Sequence, residues 1–125
     1  MTTLKVGIAS HEDMEARTMA VARGERRIEG SEPKVWFPST ESFAKVLSAG
    51  NRDLLRVIAA RAPGSLDELA RITGKAKSNL SRTLRTMEGY GLVCLERGAR
   101  GRITPKVMYD HVQLDLPLMR APTAS

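Results

Sequence analysis

Between Ser65 and Val93 the chain reads SLDELARITGKAKSNLSRTLRTMEGYGLV, and no other stretch limits the possible folds as tightly. Leu66, Leu69, Ala70 and Ile72 recur at helical spacing, and so do Leu80, Leu84 and Met87. Ser65 and Glu68 form a capping-box pattern, in which the serine accepts from one first-turn amide and the glutamate reaches back to another. Gly74 follows the first run directly, and the second helix, expected over about 76–89, starts within three residues of it. Two short helices joined by a tight glycine-containing turn are a helix-turn-helix pattern. The second helix is apolar on one side and carries Lys77, Ser78, Ser81, Arg82 and Arg85 largely elsewhere.

The flanks supply what such a pair needs for a core. Ser39 is placed to cap a helix with Phe43, Val46 and Leu47, ended by Gly50. Asn51 is placed to cap the next, where Leu54, Leu55, Ile58 and Ala59 recur until Pro63-Gly64. After Gly91, LVCLERGARGRITPKV reads as strand, GARG turn and strand, a β-hairpin with arginines at its tip and on its return arm. Upstream, LKVGIAS and KVWF suit short strands, the second holding the single Trp36. HEDMEARTMAVARGE reads as a helix opened by acidic residues, with Met14, Met19, Val21 and Ala22 as a weak apolar side. Residues 24–33 read as a loop, and APTAS as a frayed tail. HVQLDLPL alternates Val112, Leu114, Leu116 and Leu118 with polar residues, the pattern of a half-buried strand. The expected class is α+β, mainly α. Its expected organisation is an N-terminal region (1–48), a winged helix-turn-helix (49–108) and a C-terminal strand with tail (109–125).

Charge is unevenly placed. The chain carries 20 Lys and Arg against 14 Asp and Glu, for a net +6. Residues 75–102 hold seven of the cations (Lys75, Lys77, Arg82, Arg85, Arg97, Arg100, Arg102) and only two anions (Glu88, Glu96). Dispersed positive charge promotes solubility, whereas clustered positive charge points to a polyanion.

Residues 51 to about 108 resemble the winged-helix domains of MarR-type and ArsR-type transcriptional regulators, most closely in NLSRTLRTMEGYGLV. In such domains the leucines and the final GLV anchor the recognition helix and first wing strand, and Leu80, Leu84, Met87, Leu92 and Val93 match those places. The resemblance implies that Lys77, Ser78, Asn79, Ser81, Arg82 and Arg85 face the major groove and flanking phosphates. The chain departs from the family where serine often opens the recognition helix, because it has Ala76 there. It also resembles small MarR-like regulators of bacteria and archaea, some encoded beside toxin-like genes, which implies an antitoxin role as an alternative.

Side-chain chemistry divides the roles. Arginine bonds guanine or phosphate with two parallel donors and asparagine does the same for adenine, so Arg82 and Asn79 are the expected base readers. Arg85, Lys77 and Lys75 are expected on phosphates. Ser81 either faces the duplex or bonds back to its own helix. Arg97, Arg100 and Arg102 suit a wing along the backbone or in the minor groove. One winged helix touches few base pairs, so a homodimer on double-stranded DNA is expected, with LKVGI, KVWF and HVQLDLPL as the pairing region. The alternative partner is a cognate toxin protein, on the helix 11–23 and the loop 24–33.

Other classes find little support. No run approaches the roughly 18 apolar residues of a membrane helix, and MTTLKVGIAS lacks the pattern of a signal peptide. The single Cys94, expected in a buried wing strand, fits a reducing cytoplasm. His11, His111 and Cys94 show no metal-ligand spacing. The GARG turn matches the GXXG loop of RNA-binding KH domains, but that loop joins two helices and this one joins expected strands. No P-loop, nucleophile elbow or carboxylate–histidine set appears, so neither enzyme nor cofactor is expected.

Overall fold

In the computed structural model, residues 2–24 and 33–119 are described. Almost all of the expected 24–33 loop, and the tail beyond Met119, lie outside them. Among the described residues the class is α+β, with five helices and two small sheets. No helix among them is long and apolar enough to cross a membrane.

The chain opens with a parallel β–α–β unit: β1 (Thr3–Ile8), α1 (His11–Ala22) and β2 (Val35–Phe37). The Ser10 hydroxyl accepts from the Asp13 amide at 3.1 Å, and Glu12 and Asp13 fill the first turn of α1, where the helix dipole favours them. β5 (His111–Asp115) is the half-buried strand expected from HVQLDLPL, but it stops at Asp115. It runs parallel to β1 on the side away from β2, giving the order β2–β1–β5. Pairing sets Leu4 beside Val112 and Val6 beside Leu114, so the apolar residues share the inner face. Gly7 and Trp36 are paired on the outer face, where a Cβ on Gly7 would stand 2.5 Å from the indole ring. Only glycine leaves room for that ring to lie across β1.

The helices form the other layer: α2 (Thr40–Val46), α3 (Ala49–Arg61), α4 (Leu66–Thr73) and α5 (Lys77–Gly89). Ser39 caps α2 as expected, accepting from the Ser42 amide at 3.0 Å. The start of α3 differs from expectation. Ser48, not Asn51, is its N-cap, and Gly50 lies within the helix rather than ending α2. Asn51 instead turns its amide back to the carbonyls of Lys45 and Val46, at 3.4 and 3.0 Å, closing the end of α2. Both residues are good caps by type, and the two-residue link between α2 and α3 decides which end each one serves. Ala62 ends α3 in the left-handed region (φ 44°) ahead of the buried Pro63.

One hydrophobic cluster joins the layers. Leu4, Val6 and Phe37 from the sheet sit in the same core as Leu54, Ile58, Leu69, Leu80, Leu84 and Met87. Phe37 stacks on Tyr90 with ring centroids 4.1 Å apart and meets Phe43 edge-on at 5.2 Å. The segments expected to pair two chains therefore turn their apolar side onto the helices of their own chain.

Candidate nucleic-acid interface

The candidate surface is built on α4, α5 and the hairpin of β3 (Val93–Arg97) and β4 (Ile103–Val107). The capping pattern at α4 is present: Ser65 Oγ accepts from the Glu68 amide at 3.0 Å, and Glu68 Oε2 accepts from the Gly64 amide at 2.7 Å. Gly74 ends α4 with φ 73°, a conformation that favours glycine, and Lys75 and Ala76 complete the turn into α5. Ala76 has no side chain able to cap, so the first amides of α5 lack a side-chain partner.

Leu80, Leu84 and Met87 are almost completely buried and orient α5. With that stripe inward, Arg82 lies nearly opposite it and points away from the core. Glu88 ties α5 to the hairpin, its Oε2 accepting from the Leu95 amide at 3.2 Å. Thr104 donates to the Gly64 carbonyl at 2.8 Å, fastening the return strand beside the start of α4. At the tip the Gly98 amide donates to the Arg102 carbonyl at 2.8 Å, while Arg100 and Gly101 both take left-handed conformations, φ 60° and 73°.

These attachments leave a groove of about 910 Å³ between α5 and the hairpin. It gathers Lys77, Ser78, Ser81 and Arg85 from α5 with Arg97, Arg100 and Arg102 from the hairpin. Seven of the ten expected site residues thus share one wall-and-floor arrangement. Lys75, Asn79 and Arg82 do not line it; all three are exposed, Lys75 in the turn and the other two on α5. Ser81 makes no back-bond to its helix among the described residues; Thr86 does so instead, to the Arg82 carbonyl at 3.2 Å. Cys94 is half-buried rather than buried.

The groove also has two acidic members, Glu96 from the basic stretch itself and Asp67 from α4, which lies outside that stretch. Asp67 holds Lys77 in an ion pair at 3.0 Å, and Glu96 holds Lys106 at 3.4 Å across the hairpin. No periodicity relates Asp67 to Lys77; packing of α4 on α5 brings them together. Among the described residues, Lys75, Arg82, Arg85, Arg97, Arg100 and Arg102 make no ion pair. Six exposed cations with open donors can take phosphate or carboxylate groups without first breaking an internal bond.

No curated protein and no solved structure shows a significant match to this chain. Residues 46–114, from the end of α2 into β5, match the sequence profile of the HVO_A0114 family. That span is more than half of the 125 residues, and the chain belongs to the HVO_A0114 family.

Proposed function

We propose that α3, α4, α5 and the β3–β4 hairpin act as a winged helix-turn-helix, and that the chain is a dimeric regulator of transcription that reads double-stranded DNA. The observation that carries this reading is the groove, where α5 and the hairpin bring Lys77, Arg85, Arg97, Arg100 and Arg102 together. A duplex offers a phosphate ridge of matching charge and a major groove wide enough for one helix. With α5 in that groove, Arg82 and Asn79 on its exposed side reach base edges. The groove-lining cations then lie over the adjacent phosphates, with Arg100 at the hairpin tip following the backbone or the minor groove. The uncapped amides at the start of α5 add donors for a phosphate there.

The test is selection of duplexes from a random pool by the purified protein at near-physiological salt. Enrichment of an inverted repeat is the expected result, and its occurrence upstream of the protein's own gene would extend the reading to autoregulation. Binding that enriches no motif would overturn sequence-specific regulation, leaving charge-driven attachment to nucleic acid.

A further inference from the structure

Among the described residues, the β2–β1–β5 sheet has two open edges, and they differ. β2 is only three residues long and is bracketed by Lys34 and Pro38. Short length, lysine and proline are devices that keep an edge from pairing. β5 is five residues, HVQLD, flanked directly by Asp110 and Leu116, with the nearest proline, Pro117, one position further on. Among the described residues, four of the five exposed large hydrophobic side chains flank β5 in the chain, the fifth being Met19 on α1. Met108 precedes it, and Leu116, Leu118 and Met119 follow it; Leu118 is 96% and Met119 83% exposed.

We propose that β5 pairs antiparallel with β5 of a second copy of this chain, about a two-fold axis at Gln113, making one six-stranded sheet. The strand is self-complementary when reversed about that residue. Val112 comes opposite Leu114 of the second copy, both on the inner face that already holds Leu4 and Val6. His111 comes opposite Asp115 of the second copy on the outer face, a ring N–H donor against a carboxylate. A one-residue slip would set inward residues against outward ones, and a two-residue slip would leave strand ends unpaired. A C2 contact of this kind is closed and uses the same patch twice.

The pairing supplies the two-fold symmetry that the proposed DNA reading requires, and to that extent rests on it, yet it is testable with no DNA present. Sedimentation of the full chain over a dilution series is expected to show a monomer–dimer equilibrium. In a Cys94→Ala background, Gln113→Cys is expected to cross-link to itself under mild oxidation. Directly opposed residues of an antiparallel pair lie within disulfide reach, about 4.5–5.5 Å between Cα atoms. Asp115→Cys, facing His111, is expected to cross-link far less. Asp115→Lys should weaken the dimer about tenfold, since two symmetric donor–carboxylate contacts are lost, and adding His111→Asp should restore it through two lysine–carboxylate pairs. Both residues are exposed, so the chain's own core is unaffected. A monomer throughout, equal cross-linking of the two cysteine variants, or no rescue by the charge swap would overturn the proposal. A dimer that selects no DNA motif would sink the regulator reading and leave the pairing standing; a monomer that selects one would do the reverse.

Discussion

Arg82 and Arg85 stand three residues apart on α5, yet position separates the roles proposed for them. Arg82 points away from the core and lies outside the groove, whereas Arg85 lines it opposite the hairpin. Arg82→Ala is expected to cost about 1–3 kcal/mol against duplexes bearing its base and little against those altered at that position. Arg85→Ala should weaken all duplexes alike. Isotherms on a panel of single-base-pair variants distinguish the two, and uniform loss for Arg82→Ala would remove it as a base reader. Ala62 poses a backbone question, because its φ of 44° is one that a side chain disfavours. Ala62→Gly is expected to raise unfolding free energy by up to about 1 kcal/mol at this helix end. Urea denaturation reads the change, and a loss of stability would show that the left-handed conformation is not costly there.

At the scale of elements, the hairpin's placement depends on two polar ties, Glu88 to the Leu95 amide and Thr104 to the Gly64 carbonyl. Without Glu88 the Leu95 amide loses its acceptor at a half-buried site, a cost of about 1–3 kcal/mol. Glu88→Ala is therefore expected to destabilise by that amount, whereas Glu88→Gln keeps an acceptor oxygen and should retain most of the stability. Equal losses in both would mean that the charge, not the acceptor, matters. The helix ends are the part most easily read locally. Ser39, Ser65 and Gly74 act where capping rules place them, because a cap needs only neighbours within four residues. The α2–α3 link defeats the same rules, since Ser48 and Asn51 are both competent caps and the sharp reversal between the helices chooses.

For the whole molecule, the six cations of the candidate surface that make no ion pair among the described residues set the expected salt response. With roughly four to six phosphate contacts per chain, log affinity should fall against log salt with a slope near −4 to −5 per protomer. Each single hairpin substitution, such as Arg97→Ala, should reduce the slope by about one. A slope near zero would exclude phosphates as the main ligand. Residues far apart in sequence explain why some of this was legible in advance and some was not. Apolar periodicity, caps and the glycine-bearing hairpin turn act over a few residues, so the helices, the hairpin, the strands in LKVGI and KVWF, the first five residues of the strand expected over HVQLDLPL, and the clustering of charge are all readable from the chain alone. The sequence carried no comparable signal for the parallel order β2–β1–β5, for Phe37 stacking on Tyr90, or for Asp67 restraining Lys77. Nor did it separate Arg85, inside the groove, from Arg82, outside it. Those arrangements follow from long-range packing, because each depends on burying one shared apolar core from two layers at once, and residues adjacent in the chain do not encode which distant surface will cover them.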